Sequence, residues 1–115
     1  MAEECIFCRI VAGEIPADIV YQDEDFLAFR DIMPKAPTHV LIIPKTHIKS
    51  VAELTDGQQK LAGRLMIIAR NLARKEGLAG KGYRLVINCG PEGGQVVPHL
   101  HLHLLGGRQM EPKLG

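Results

Sequence analysis

Three of the chain's five histidines occupy alternate positions in the stretch PHLHLHLLGG, residues 98–107. Successive side chains of a β-strand point to opposite faces, so His99, His101 and His103 are predicted to lie in one row. The leucines between them form the opposite, apolar side, and two glycines end the strand. Imidazole serves as a nucleophile, a proton carrier or a metal ligand near neutral pH. This row is therefore the first candidate for chemistry.

Four uses of the row remain open from these residues alone. The histidines are solvated surface side chains, or three ligands of one metal, or a nucleophile with neighbours that position an anion and carry protons. In the fourth use the row is divided, with one histidine on a metal and the others in chemistry. A strand rises about 3.3 Å per residue, so the outer two histidines start roughly 13 Å apart. One ion shared by all three therefore requires a distorted strand.

The segment GPEGGQVV, residues 90–97, lies directly before the histidines. Glycines there allow backbone N–H groups to turn toward an anion. Neither a Walker A pattern nor G-x-G-x-x-G occurs in the chain. We therefore expect a phosphate to be held by turn amides, Asn88, Gln95 and the histidines. A plain hairpin turn is the alternative interpretation of Gly93 and Gly94.

Length and charge restrict the class of protein. A chain of 115 residues suits one domain, residues 1–115, and a net charge of +1 argues against a nucleic-acid binder that relies on bulk electrostatics. The start, MAEECIFC, carries Glu3 and Glu4 and lacks the basic head of a secretory signal. Apolar runs are too short to span a bilayer. We expect a soluble cytoplasmic protein with no nucleic-acid or membrane partner.

The pattern of apolar residues predicts the elements that position the histidines. A short helical or turn segment is expected over 5–12, and one long helix between Thr55 and Glu76, with Thr55 or Asp56 as N-cap and Gly77 after its end. Short connections favour an antiparallel sheet covered by helix on one face, an α+β fold. Besides the histidine strand, strands are predicted over residues 17–22, 26–31, 38–43 and 83–89.

The chain has three cysteines, an odd number that does not fit a complete disulfide framework. Cys5 and Cys8 form a C-x-x-C pair, which in a cytosolic protein points to metal binding or redox use. The redox interpretation requires a βαβ context that is not predicted here. Cys89 stands alone and is interpreted as a small buried apolar residue.

Taken together, these motifs resemble the histidine triad (HIT) family. HLHLHLLGGR preceded by GGQVV is similar to its histidine motif, and LGGRQM is typical of the Hint branch, the purine nucleoside phosphoramidases. Residues 30–48, RDIMPKAPTHVLIIPKTHI, and residues 6–31 resemble its other two blocks. The resemblance implies a HIT-like α+β fold: a five-stranded antiparallel sheet, one long helix and a short N-terminal helix. It also implies a homodimer with a ten-stranded sheet.

The resemblance further implies an activity. Hint members bind purine nucleotides and cleave adenosine 5′-phosphoramidates through a covalent nucleotidyl-histidine, which releases AMP and an amine. In this family His101 matches the nucleophile, with Nδ1–H held by a backbone carbonyl and Nε2 free to attack. His103 matches a histidine that contacts phosphate oxygens, and His39 matches a remote fourth histidine.

A nucleotide site is implied in the same way. Asp31 matches the carboxylate that grips the ribose hydroxyls. The other matching positions are Asn88, Gly94 and Gln95 on the phosphate side and Phe7, Ile10, Phe29 and Ile32 in an apolar slot for the base. Val96 stands where many members carry serine, and Pro98 where an aromatic residue is common. Because Val96 cannot donate a hydrogen bond, we expect slower turnover of simple phosphoramidates than in serine-bearing relatives.

A structural zinc is implied by the resemblance on Cys5, Cys8, His47 and His99. Two thiolates and two imidazoles form a closed tetrahedral set, which favours the divided row. Some Hint relatives lack both cysteines and fold without zinc, so two buried thiols beside an ordinary His47 remain the alternative.

Two other functions remain open. One is a dinucleoside polyphosphate hydrolase, against which LGGRQM argues. The other is a nucleotide-binding or protein-interaction module with little catalysis, which the intact histidine row disfavours. A P–N bond breaks when its nitrogen is protonated, and the sequence does not identify the proton donor.

Overall fold

Five strands, one long helix and a short N-terminal helix form the described part of the chain. The structure is a computed structural model that describes residues 5–114; Glu3 and Glu4, on which the expectation about targeting depends, lie outside them. Within that range no helix is both long and apolar enough to cross a bilayer. The elements are α1 (Ile6–Val11), β1 (Ile19–Gln22), β2 (Phe26–Arg30), β3 (Thr38–Pro44), α2 (Gln59–Lys75), β4 (Arg84–Val86) and β5 (Leu102–Gly106).

The strands form one antiparallel sheet in the order β1-β2-β3-β5-β4. This confirms the predicted five-stranded antiparallel sheet. Strand β3 lies between β2 and β5, and its register places Leu41 opposite His103 and His39 opposite Leu105. The histidine of the second sequence block is thereby brought to the same face as the histidines of the last one.

The prediction that all three histidines lie on a strand is only partly right. Strand β5 begins at Leu102, so His99 and His101 precede it. Pro98 offers no backbone N–H, and the N–H of Leu100 donates to the Ile48 carbonyl (2.6 Å) outside the sheet ladder. The alternation nevertheless persists, because the leucine that follows each histidine is 1% exposed or less on the other face.

Helix α2 covers one face of the sheet. Its buried positions recur at the predicted helical spacing and pack against alternate residues of the central strands. Leu61, at the first predicted position, is only partly buried. The buried residues of this core include Leu65, Ile68, Leu72, Val40, Ile42, Leu102 and Leu104.

The ends of the long helix differ slightly from the prediction. Residues Asp56–Gln58 form a 3₁₀ turn, with the Thr55 N–H bonded to Gln58 Oε1 (2.9 Å), so α2 itself begins at Gln59. At the other end Gly77 has φ +77°. That left-handed conformation favours glycine and confirms it as the residue that follows the helix.

The opposite face carries a second, smaller core. Cys5 and Phe7 of the α1 segment pack against Leu27, Phe29 and Leu41 of the sheet. The sequence pattern indicated helix on one face only, and this second cover was not predicted. A six-residue helix covers only part of the face, so the rest of it lines a cavity.

A polar cluster fixes the β1–β2 turn to α2. The carboxylate of Asp23 accepts from Tyr21 Oη (2.6 Å), from the guanidinium of Arg64 (2.5 Å) and from two turn N–H groups. Burial raises the pKa of Asp23, but these hydrogen bonds and the charge of Arg64 outweigh it, so the pKa lies below its ordinary value.

We predict that Asp23→Asn lowers the free energy of unfolding by about 1 kcal/mol at pH 7, because the charged acceptor is lost. A carboxyl with a lowered native pKa contributes stability above its unfolded pKa, and that contribution disappears as the pH falls through the native value. Urea titrations should therefore give converging free energies of unfolding for the two proteins as the pH falls below the native pKa of Asp23. Asp25→Asn is the control, since its exposed carboxylate has no hydrogen bond among the described residues. Equal stability of wild type and Asp23→Asn at pH 7 would contradict the prediction.

Candidate active site

A cavity of about 630 Å³ lies on the sheet face opposite α2. It is bordered by α1, the β2–β3 loop and residues 90–97, which we call the glycine loop. Almost every residue predicted for catalysis or nucleotide binding lines this cavity, although these residues come from all parts of the chain. They are Phe7, Ile10, Phe29, Asp31, Ile32, His39, Asn88, Gly94, Val96, His101 and His103. Gln95 is the predicted nucleotide-site residue that does not line it.

His101 is buried, and its ring is held by the backbone. Its Nδ1 lies 2.7 Å from the carbonyl oxygen of His99. A carbonyl only accepts, so Nδ1 carries the proton and the neutral ring leaves the lone pair on Nε2. Among the described residues the only hydrogen bond of the ring is the one at Nδ1. Since no buried side-chain nitrogen of these residues lacks a partner, Nε2 is accessible, and His101 lines the cavity. The edge of Phe7, with ring centroids 5.2 Å apart, packs against the same imidazole.

His39 and His103 form a hydrogen-bonded pair beside it. The backbone N–H of Lys35 donates to His39 Nδ1 (3.1 Å), so the proton of neutral His39 lies on Nε2. That Nε2 is 2.9 Å from His103 Nδ1, which must then accept. The remaining nitrogen of His103, Nε2, consequently carries its proton. Both tautomers follow from one backbone donor.

Burial keeps these two rings neutral. Burial, together with the nearby His101 and His39, lowers the pKa of His103 to about 4, while Asp31 opposes them. Burial also lowers the pKa of His39, with Lys35 acting in the same direction and Asp31 against it. At neutral pH His103 is thus an uncharged hydrogen-bond donor.

Asp31 lies at the end of β2, next to the histidine pair. Its Oδ1 accepts from the Met33 N–H (2.8 Å), and its backbone N–H donates to the His39 carbonyl (2.9 Å). Its Oδ2 is 3.5 Å from His39 Nε2, farther than His103 Nδ1. Oδ2 is therefore available to accept a hydrogen bond from a molecule in the cavity.

The glycine loop is held together by its own polar side chains. Gln95 accepts from the Gly90 N–H (2.9 Å) and donates to the carbonyls of Lys49 (2.8 Å) and Val97 (3.0 Å). Its amide is occupied by the backbone, which is the physical reason that Gln95 does not face the cavity. Asn88 likewise donates to the Gly93 carbonyl (2.8 Å).

The loop leaves donors for an anion on its cavity side. The backbone N–H groups of Val96 and Val97 have no acceptor among the described residues, and both residues line the cavity. Gly94, with φ +80°, provides the left-handed turn before them. Val96 is 90% exposed at the rim of the cavity, and its side chain offers no hydroxyl.

Cys5, Cys8, His47 and His99 form a separate cluster whose ligand atoms all lie within 4.8 Å of one another. The Nδ1 atoms of His47 and His99 are 3.2 Å apart. His99 Nδ1 lies 3.3 Å from Cys5 Sγ and 3.6 Å from Cys8 Sγ, and His47 Nδ1 lies 3.2 Å from Cys8 Sγ. Tetrahedral zinc, with bonds of about 2.0–2.1 Å to nitrogen and about 2.3 Å to sulfur, places two nitrogen ligands roughly 3.3 Å apart and a nitrogen and a sulfur ligand roughly 3.6 Å apart. The donor set therefore fits a metal ion.

The rest of His99 agrees with a ligand role. Its Nε2 lies 2.8 Å from the Pro44 carbonyl, which fixes the proton there and leaves Nδ1 free. The divided use of the row is thus the arrangement that the structure supports: His99 faces the cysteines, while His101 and His103 face the cavity. Cys89, half-buried near Ser50, is not part of this cluster.

Several cavity residues were not indicated by the sequence pattern. Leu41 and Leu105 follow from strand alternation once the histidine face is known. Lys35 contributes its backbone, for which a side-chain motif gives no signal. The remaining residues of this group are Ile6, Ile15, Pro16, Ala17, Arg30, Met33, Val86 and Val97.

Comparisons with known proteins agree with this geometry. The model of the HIT domain family matches residues 12–110. The chain is 51% identical over 114 residues to the purine nucleoside phosphoramidase of Escherichia coli strain K12, covering 99% of this chain and 96% of that protein. A HIT family hydrolase from Legionella pneumophila superposes with a TM-score of 0.94 at 54% identity, covering 96% of this chain and 99% of the other. One from Clostridium thermocellum gives 0.94 at 48% identity and 97% of both chains.

Proposed function

The chain belongs to the HIT family, and from that premise we propose that it hydrolyses the P–N bond of purine nucleoside 5′-phosphoramidates, adenosine derivatives in particular. The products are AMP and an amine, and the intermediate is a nucleotidyl group on His101. One observation carries the proposal: the Nδ1–H of His101 is held by a carbonyl while Nε2 faces the cavity. The similarity to a purine nucleoside phosphoramidase and to HIT family hydrolases supports it.

The walls of the cavity suit the parts of a nucleotide. Phe7, Ile10, Phe29 and Ile32 provide an apolar slot for the base. The free Oδ2 of Asp31 accepts from the ribose hydroxyls. Phosphate oxygens accept hydrogen bonds from the backbone N–H groups of Val96 and Val97 and from the Nε2–H of His103.

The reaction proceeds in two displacements. The Nε2 lone pair of His101 attacks phosphorus, the P–N bond breaks, and the departing nitrogen takes up one proton from solvent to leave as the amine. The nucleotidylated ring then carries a positive charge and keeps its Nδ1–H on the His99 carbonyl. Water next attacks phosphorus and gives up one proton to solvent, the P–Nε2 bond breaks, AMP leaves, and His101 returns to its starting tautomer.

The neutral state of His103 suits this sequence. A protonated His103 would repel the cationic nucleotidyl-His101, since the two ring centroids are 4.9 Å apart. Its pKa of about 4 prevents that charge at neutral pH. His103 therefore stabilises phosphoryl oxygens through a hydrogen bond without adding charge next to the nucleophile.

We further infer that the Cys5, Cys8, His47 and His99 cluster binds zinc. When bound, zinc supplies a closed structural cross-link between α1, the loop after β3 and the segment before β5, with no open position for chemistry. Burial, then the hydrogen bond and charge of Cys5, raise the pKa of the Cys8 thiol to about 11. A cation reverses this, because thiolates are the ligating form.

We also infer that residues 1–115 form one HIT domain that assembles as a homodimer. Strand β4 lies at the edge of the sheet and pairs with β5 alone among the described strands. An exposed edge is a template for pairing with another chain, and pairing with a second copy gives ten strands. Helix α2 also exposes Met66 and Ile67. The mass of the protein in solution tests this inference.

A trapping experiment tests the activity. With adenosine 5′-phosphoramidate and a rapid quench in denaturant at alkaline pH, which spares the acid-labile P–N bond, we expect mass spectrometry to find AMP attached to His101 and the products AMP and amine. His101→Ala should lose the adduct and at least about 10³-fold in kcat while still binding AMP, because the nucleophile is absent but the walls remain. Parallel incubation with a diadenosine polyphosphate distinguishes the alternative hydrolase. Faster cleavage of that substrate, or turnover by His101→Ala, would reject the proposal.

Metal analysis tests the cluster. We expect about one zinc per chain in the purified protein, and a lower thermal midpoint after chelation, because the cross-link adds to folding stability. Cys8→Ser should abolish stoichiometric zinc. Cys89→Ser is the matched control and should retain it, since Cys89 lies outside the cluster. The zinc assignment would be overturned if the purified wild type contained no metal and its thermal midpoint did not change when a chelator was added.

Val96→Ser tests the role of the rim. A hydroxyl there adds a donor beside the phosphate and the leaving group, so we expect kcat/KM for adenosine phosphoramidate to rise about tenfold, the worth of one hydrogen bond. Val51→Ser is the control, because Val51 is also exposed but does not line the cavity. An unchanged kcat/KM in Val96→Ser would show that the missing hydroxyl does not limit this enzyme.

A further inference from the structure

The segment after β5 reaches back to the β2–β3 loop. Gly107 has φ +93°, and a Cβ built on it would lie 2.9 Å from Pro37 Cβ. Glycine is required there by both conformation and space. The close approach places Arg108 over the loop, where its guanidinium donates to the Lys35 carbonyl (3.0 Å) and to the Gln109 carbonyl (3.2 Å).

Lys35 connects this contact to the histidine pair through its backbone alone. Its carbonyl accepts from Arg108, and its N–H donates to His39 Nδ1. Its side chain turns to the Met33 carbonyl (3.3 Å) and does not contact the histidines. The backbone of Lys35 thus joins the hydrogen bond from Arg108 to the hydrogen bonds that connect Lys35 with His39 and His39 with His103.

We propose that Arg108 is a positioning residue for the phosphoramidase reaction: it fixes the Lys35 backbone so that the Lys35 N–H holds His39 in the Nε2–H tautomer, which presents the Nε2–H of His103 to the substrate phosphate. The kinetic consequence rests on the proposed function. The tautomer assignment does not, because it follows from donors and acceptors in the free protein.

The effect of losing the Lys35 bond follows from the chemistry of imidazole. His39 then adopts the Nδ1–H tautomer freely, and its Nε2 becomes an acceptor toward His103 Nδ1. His103 responds by carrying its proton on Nδ1, so its Nε2 turns a lone pair toward the phosphate. A small shift of one loop peptide thereby replaces a hydrogen-bond donor with a repulsive acceptor.

Arginine suits this position better than a general polar residue. Its guanidinium stays charged and offers several donors in a fixed plane, so it bridges two carbonyls at once. Lysine is a compact point charge whose three donors sit on one nitrogen at the end of a more flexible stem, so it bridges two separated carbonyls less well. We therefore expect Arg108→Lys to preserve part of the effect and Arg108→Ala to lose it.

Steady-state kinetics with adenosine 5′-phosphoramidate give the first readout. Arg108 does not line the cavity, so Arg108→Ala should lower kcat about tenfold and change KM less than about twofold. Arg108→Lys should recover to within about threefold of wild type. Arg70→Ala is the matched control, because the exposed Arg70 side chain contacts Asn71 on the same helix, and its kcat should be unchanged.

Nitrogen NMR of the substrate-free proteins gives the second readout. Long-range ¹H–¹⁵N spectra of the wild type should show His39 and His103 as Nε2–H tautomers, and Arg108→Ala should shift both toward Nδ1–H. Gly107→Ala, which keeps the guanidinium but clashes with Pro37, should shift them in the same direction. This spectrum tests the positioning role of Arg108 even if no phosphoramidate is turned over. Failure of the proposed function is therefore distinguished from failure of this inference.

Three outcomes would overturn the inference. The first is unchanged tautomers in Arg108→Ala, whatever happens to the rate. The second is a rise in KM at constant kcat, which indicates a loosened cavity wall and no relay. The third is a tautomer shift with normal kcat in an enzyme that turns over its substrate.

Discussion

The hydrogen bond from His101 Nδ1 to the His99 carbonyl is the interaction on which the rest of the site depends. An imidazole in water exchanges its proton between two nitrogens, and only one of the resulting tautomers places a lone pair on Nε2. A peptide carbonyl has no alternative to accepting, so it selects that tautomer permanently. Burial of the ring among apolar neighbours then keeps water from competing for the bond. The cavity and its donors matter because this nitrogen faces them.

His99 shows why this bond requires an irregular backbone. Its ring faces the cysteine cluster and its carbonyl faces His101. Had β5 extended through His99, the carbonyl of that residue would be committed to the sheet ladder or directed away from the imidazole of His101. The chain instead enters the strand only at Leu102, after Pro98 and a bond from Leu100 to Ile48 have replaced regular pairing. The departure from strand geometry therefore supplies both a proposed metal ligand, His99, and the orientation of the proposed nucleophile, His101.

Sequence pattern predicted much of this arrangement because its signals are local. Alternating leucines identified the buried side of the last strand, and the spacing of Leu65, Ile68 and Leu72 identified the helix. Resemblance to a family identified half of the residues that line the cavity. The start of β5 and the inward turn of Gln95 were not predictable, because both depend on backbone partners distant in the chain.

The histidine pair marks the deeper limit of such prediction. A motif identifies His39 and His103 as imidazoles, but their chemical roles depend on which nitrogen holds the proton. That is decided by the N–H of Lys35, a group that every residue except proline possesses and that no side-chain pattern distinguishes. The same bond explains why burial is useful here. A protonated His39 would direct an Nδ1–H against the Lys35 N–H, so the low pKa and the backbone donor favour the same neutral state. The site thus obtains a donor from His103 and a lone pair from His101, two opposite roles from one residue type, through backbone groups of opposite polarity.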